Sequence, residues 1–272
     1  MPRVPFTLAH PAAVVAVARG PFVPSALVLG SMAPDLTYYV TLPLLDPTGT
    51  LLTRTHHVSS VFWLDPLIAL VLLVAFHALL KRPVVALLPT AAAERAWPAA
   101  EGFVWRRATA VCWIALSLVI GAATHVGWDR LGDVVGEDRS TTVDLAGGVL
   151  GGVVLLGWVW RWWRTTPARP VPPGLGLPGR LRGLVQGALV AGVALFGTVG
   201  AVSGVRDLMA SDAMDRPAIP AQFAQPVFTG RDMAELAARQ FAEYSVAAVC
   251  VVLAVYAAGW HLSRLATARR TV

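Results

Sequence analysis

The chain has 272 residues, 56% of them hydrophobic and only 14% charged, with a mean hydropathy of +0.62. Soluble domains carry about 25% charged residues, so a water-soluble globule is excluded and lipid is the expected solvent. The formal charge of +6 and pI near 10.1 do not point to nucleic acid, because the basic residues lie scattered between apolar runs and build no aromatic-interleaved patch.

The first apolar stretch, residues 10–35, is interrupted by Arg19, Pro21 and Pro24. No A-x-A cleavage pattern follows, so the stretch is read as retained rather than as a signal peptide. Its two pieces, 11–18 and 22–33, are each too short to cross a bilayer alone. A single kinked span would hold Arg19 inside the membrane at a cost of several kcal/mol. A re-entrant helical hairpin with the Gly-Pro turn at its tip avoids that cost and is the preferred reading. It returns His10 and Asp35 to one side. Pro34 disfavours helical angles in the residue before it, so Asp35 is expected to open an extended stretch.

Five later stretches, near 58–80, 108–128, 143–163, 184–205 and 244–262, reach the roughly 20 residues that a span requires. The predicted fold class is therefore all-α, a polytopic bundle of about five transmembrane helices behind the N-terminal hairpin. Lys81, Arg82, Arg95, Arg106 and Arg107 follow the first span. Arg161, Arg164, Arg169, Arg180 and Arg182 follow the third, and Arg264, Arg269 and Arg270 the fifth. Charge bias puts these segments and the C-terminus in the cytoplasm, and the acidic connections 129–144 and 207–243 outside. Residues 1–164 are read as an N-terminal membrane domain, 165–182 as a flexible Pro- and Gly-rich linker, and 183–272 as a C-terminal two-helix part. Gly147, Gly148, Gly151 and Gly152 give G-x-x-x-G spacings that let backbones pack closely, within the chain in this reading. Trp158, Trp160, Trp162 and Trp163 form an interfacial belt. Cys112 and Cys250 sit in apolar runs as small hydrophobes.

Ionisable side chains beside membrane spans are costly, so each of the six histidines is a functional candidate. His125, Asp129 and Asp133 follow one another at four-residue intervals and fall on one helix face. They can ligate a divalent metal, and the same spacing also occurs at helix ends that face water. His56 and His57 open the first span, and about 100° of helix rotation lets only one of them face a shared site. Asp65, deep in that span, either orients a ligand histidine or caps amides freed by Pro66. Charge bias assigns Asp35, His56, His125 and Asp129 to the same outer face. His77 and His261 read as interfacial histidines. Nucleophile elbow, Walker, dinucleotide-turn and H-E-x-x-H motifs are missing from the sequence.

Pro-Phe-Thr-Leu-Ala-His-Pro-Ala-Ala-Val (5–14), Leu-Val-Leu-Gly-Ser-Met-Ala-Pro-Asp (27–35), Thr-His (55–56), Phe-His-Ala-Leu-Leu-Lys-Arg-Pro (76–83) and His-Val-Gly-Trp-Asp (125–129) appear in that order. Together they resemble the bacterial membrane proteins of the family of unknown function numbered 4184, over most of residues 5–135. That family is similar to the broader group named membrane-bound metal-dependent hydrolases. The resemblance implies a metal set of His10, Asp35, His56, His125 and Asp129 in a bacterial cytoplasmic membrane. It selects His56 over His57, which stands where the family usually has Ser. Asp133 occupies the place of a frequent histidine, and an aspartate can still ligate zinc or a harder ion. The resulting expectation is a divalent metal, zinc first, serving hydrolysis of a phosphoester or lipid headgroup. Asp65 and His57 are the outer partners of the set. The alternative is a non-catalytic membrane protein, transporter-like or structural, with a polar or proton-relay cluster at several depths.

Overall fold

The computed structural model describes residues 8–39, 50–103, 105, 107–135, 137–214 and 229–270. Among them every regular element is helical. Four helical stretches are long and apolar enough to cross a membrane: Leu64–Leu87, Ala108–Leu131, Gly179–Ala210 and Asp232–Ala266. The fifth expected span, 143–163, lies within a 29-residue helix, Glu137–Thr165, about 43 Å long at 1.5 Å per residue.

The N-terminal segment forms a hairpin of two short helices, α1 (Ala9–Val15) and α2 (Pro24–Met32), joined by non-helical residues at Gly20–Pro21. Pro24 begins α2, where a missing N–H costs nothing. Asp35 does not open an extended stretch. Ala33 keeps helical angles (φ −61°, ψ −40°) before Pro34, and the Leu36 N–H closes a turn onto the Ala33 carbonyl at 3.2 Å. A four-residue helix, α3 (Leu36–Tyr39), follows, and α4 (Leu51–Thr55) leads into a 3-10 turn, Val58–Phe62.

The first span differs from its expected limits. Its regular helix, α5 (Leu64–Ala75), starts later because Pro66 fits only the first turn of a helix. Asp65 therefore lies at the start of the span and not in its depth. The span then passes through a π-helical turn, Phe76–Leu80, into α6 (Lys81–Leu87). Pro83 explains the irregularity: without an N–H it leaves the carbonyl four residues back, Leu79, without its helical donor. His261 Nε2 lies 3.0 Å from that carbonyl, and the Tyr256 hydroxyl donates to the Pro83 carbonyl at 2.9 Å.

An amphipathic helix, α7 (Thr90–Glu101), follows, then the long α8 (Ala108–Val135) and α9 (Glu137–Thr165). Helix α8 is the central post and packs against α1, α2, α5 and α9. Glycines permit the closest approaches. A Cβ on Gly30 would meet the Leu118 carbonyl at 2.5 Å, and one on Gly121 would overlap the Leu27 carbonyl. Gly147 faces Trp128 and Ala9, and Gly151 lies against the Leu8 backbone. The glycine stripe of α9 thus seats α1 within the chain, while Gly148 has open space around it.

Two units emerge, Met1–Arg182 with Val255–Val272, and Gly183–Ala254. The Pro- and Gly-rich segment belongs to the first. Its Val171 and Leu175 pack on Val85, Ala93, Trp97 and Ala100, and the Arg169 N–H donates to the Glu94 carbonyl at 2.9 Å. In the second unit, parts of α10 (Gly179–Met214) and α11 (Gly230–Arg270) pair in antiparallel fashion, with Gly197 against Phe241 and Ser245, and Gly200 against Tyr244.

Candidate metal centre

His125 is the anchor of the centre. It sits on α8, fully buried, and its Nδ1 lies 2.7 Å from the Ser31 carbonyl at the end of α2. A carbonyl only accepts, so Nδ1 carries a proton and Nε2 is the nitrogen that faces the carboxylates. That Nε2 is buried without a hydrogen-bond partner. One turn on, Asp129 brings Oδ2 to within 3.2 Å of it.

His56 is fixed by similar logic. Thr55, fully buried at the end of α4, directs its hydroxyl to the Pro34 carbonyl at 2.9 Å and touches His56 Nδ1 at 3.2 Å. The hydroxyl's one proton goes to the carbonyl, so its oxygen accepts from Nδ1–H and His56 Nε2 is the nitrogen turned towards the carboxylates. The same bond clamps the Pro34–Asp35 turn onto α4. Asp35 Oδ1 lies 3.4 Å from His56 Nε2 and 3.5 Å from His125 Nε2, while Asp129 Oδ2 lies 3.6 Å from His56 Nε2. Four nitrogen and oxygen atoms from three parts of the chain, α8, the end of α4 and the Pro34–Asp35 turn, therefore face a common point.

His10, near the start of α1, stacks on His125 with ring centroids 3.8 Å apart and places Nε2 3.8 Å from the other oxygen of Asp129. Burial, then the neighbouring His125, pushes its pKa down to about 4, which leaves a neutral imidazole at neutral pH. For Asp35, burial favours the neutral acid, but the His125 and His56 imidazoles beside it outweigh burial and hold the carboxyl below its ordinary value.

The five residues fall into two overlapping ligand groups, His10–His125–Asp129 and Asp35–His56–His125. Because His125 Nδ1 is committed to Ser31, this imidazole can serve one ion only. The side chains of His56 and Asp129 are about a quarter exposed, at 26% and 25%, whereas His125 is at 0%. The centre therefore opens on the side of His56 and Asp129.

The other candidates lie elsewhere. The His57 side chain is exposed, and its backbone carbonyl accepts from Ser60 at 2.6 Å. Asp65 is fully buried and contacts Ser60 Oγ at 2.7 Å, and Ser60 also reaches the Thr55 carbonyl at 3.0 Å. It thus braces the loop carrying His56 and touches no ligand imidazole. No side-chain cap bond forms at the start of α5. Asp133 belongs to the last turns of α8, and its side chain lies outside the described residues. Sequence reasoning did not assign Ser31 or Ser60 a role. Thr55 carried a signal in its position before His56.

Residues 4–136 match the family model described as "Domain of unknown function (DUF4184)". All five clustered residues fall inside the DUF4184 match, as do Ser31, Thr55 and Ser60, and the match ends one residue after α8. No curated protein and no solved structure matches the chain.

If Thr55 sets the tautomer of His56, the nearly isosteric Thr55→Val should retain the fold and weaken metal binding about 10- to 100-fold, the usual effect of losing an outer hydrogen-bond partner. A chelator-competition titration reads this directly. Unchanged affinity would remove Thr55 from the centre.

Proposed function

We propose that this chain is a membrane-embedded metal-dependent hydrolase whose ion is held by Asp35, His56, His125 and Asp129, with His10 alongside. The observation that carries the proposal is a spacing. A tetrahedral ion with bonds of about 2.0–2.1 Å needs donor atoms about 3.3–3.4 Å apart. Four nitrogen–oxygen separations in the cluster measure 3.2, 3.4, 3.5 and 3.6 Å. Two imidazole nitrogens and two carboxylate oxygens turned to one point are donors that a single divalent cation can take together. The mixed nitrogen and oxygen donors suit zinc, and the resemblance of the motifs to the metal-dependent hydrolase group points the same way.

A bound divalent ion would supply Lewis acidity towards a phosphoryl or acyl oxygen and lower the pKa of water. The chain's own contribution is orientation: Ser31 and Thr55 fix the two tautomers, and the Pro34–Asp35 turn sets the carboxylate. His10 is a neutral imidazole next to the reacting position, able to accept a proton there. The opening beside His56 and Asp129 is the route for substrate. Loop charge bias supports an outward-facing centre and a cytoplasmic C-terminus, and a centre at headgroup depth would take a phosphoester of a lipid headgroup as substrate.

The relay alternative needs a polar path from Asp65 to His77. Between them the buried face of α5 presents Ala69 and Leu73, packed with Ala26, Ala33, Ile114 and Leu118, which hold no titratable group. The hydrolase reading is therefore the stronger.

Zinc-loaded protein, assayed on phosphodiester and carboxylic-ester headgroup analogues, should hydrolyse one class. Activity should vanish on chelation and fall about 100-fold or more in Asp129→Asn. A stoichiometric metal with neither ester class turned over would leave the non-catalytic reading in its place.

A further inference from the structure

The 3-10 turn that leads into the first span has two unlike sides. Between His57 and Asp65 the chain carries no charged residue. Ser60 and Val61 are buried, and Val61 packs on Ala122 and Val126 of α8. Val58, Phe62 and Trp63 stand outward, with Phe62 72% and Trp63 55% exposed. Two aromatic rings and a valine within six residues make an apolar patch that a water-facing turn would leave uncovered.

The inner side ties the turn to the metal centre. Ser60 Oγ lies 3.0 Å from the Thr55 carbonyl and 2.6 Å from the His57 carbonyl, the two residues that flank His56. Asp65 Oδ2, 2.7 Å away, holds the same hydroxyl. Val126, on which the turn rests, directly follows His125. The outward patch is therefore placed with respect to both ligand histidines by contacts of a single short turn.

The outer side is continuous with the span. Trp63 immediately precedes the stretch Leu64–Leu87, and exposed Leu67, Val71 and Val74 follow it at three- and four-residue intervals along one face of α5. That stripe faces acyl chains, so the turn lies where acyl chains give way to headgroups, the depth at which Trp collects.

We propose that Val58, Phe62 and Trp63 form a lipid-facing foot that holds the opening of the metal centre at the headgroup layer and selects an ester carried on a membrane lipid over the same ester free in water. The substrate half of this inference rests on the hydrolase reading, and the lipid-facing half stands without it. The foot belongs to the same side of the chain as His56, whose partly exposed imidazole marks the opening.

The test of the surface is a spin label at Phe62→Cys in a chain carrying Cys112→Ala and Cys250→Ala, placed in vesicles of phosphatidylethanolamine and phosphatidylglycerol. The label should collide with oxygen, which concentrates in lipid, severalfold more often than with a nickel chelate, which stays in water. A label open to the chelate overturns the foot. A label open to neither means that protein, such as a second copy of the chain, covers the turn, and overturns it equally. In zinc-loaded protein, Phe62→Ser with Trp63→Ser should raise the KM for a long-chain phosphodiester lipid in those vesicles about tenfold, since interfacial binding scales with buried apolar area. The KM for its short-chain, water-soluble analogue and the zinc content should not change. An unchanged KM for the vesicle lipid, or an equal rise for both substrates, overturns the selection. If the parent chain turns over neither ester, the hydrolase reading and the substrate half fall together, while the spin label still decides the surface.

Discussion

Purified His125→Ala protein is expected to carry less than about a tenth of the metal bound by the unaltered chain. Loss of an outer partner costs about 10- to 100-fold in affinity, and a direct ligand should exceed that. His125 has the largest leverage because its Nε2 contacts both carboxylates and belongs to both ligand groups. The substitution also opens a cavity and strands the Ser31 carbonyl, so stability should fall by about 2–4 kcal/mol. His56→Ala separates the two effects, since its partly exposed side chain can be truncated with little loss of packing. His57→Ala, at an exposed position, should leave metal content unchanged. Elemental analysis of folded, monodisperse protein decides the matter. One ion per chain in His125→Ala would end the metal interpretation.

Gly121→Val is expected to destabilise the first unit by on the order of 3 kcal/mol and to lower metal content with it. A Cβ at Gly121 would overlap the Leu27 carbonyl and stand 2.7 Å from the Ser31 amide. Both groups are α2 backbone inside a close-packed pair, so neither can give way as a flexible side chain would. Helix α2 would have to separate from α8, carrying the Ser31 carbonyl away from His125 and Asp35 away from both imidazoles. Gly127→Ala on the same helix meets nothing within 4 Å and should be neutral or stabilising by about 0.5–1 kcal/mol. Thermal unfolding in detergent, with metal analysis of the same samples, measures the pair. Equal melting of Gly121→Val and the unaltered chain would show that this contact does not hold the centre together.

Much of the site is written in local sequence, and its limits are local too. Thr55 before His56 and Pro34 before Asp35 stand out because each motif joins a polar side chain to a chemically reactive one. Their mutual bond, Thr55 hydroxyl to Pro34 carbonyl, joins residues 21 positions apart and leaves no trace in either motif. His77 illustrates the reverse case. As an isolated residue among apolar neighbours it reads as an interfacial histidine, whereas its actual partners Ser25 and Phe103 arrive from other segments. Asp65 was placed too deep for a related reason. Hydropathy registers the apolar run 58–80, but the helix within it starts where Pro66 permits, at Leu64.

The sequence by itself determined the all-helical, membrane-spanning character of the chain, because burying backbone amides in lipid leaves helices as the economical solution for long apolar runs. Its motifs also nominated His10, Asp35, His56, His125 and Asp129 individually. Tertiary structure alone decided that these five meet, that each anchored imidazole presents Nε2, and that Ser31, Thr55 and Ser60 support them. Hydropathy is a sum over neighbours along the chain and survives any rearrangement of the helices. A ligand cluster depends on separations of a few ångströms between segments, which here are set by Gly30 and Gly121 bringing α2 against α8.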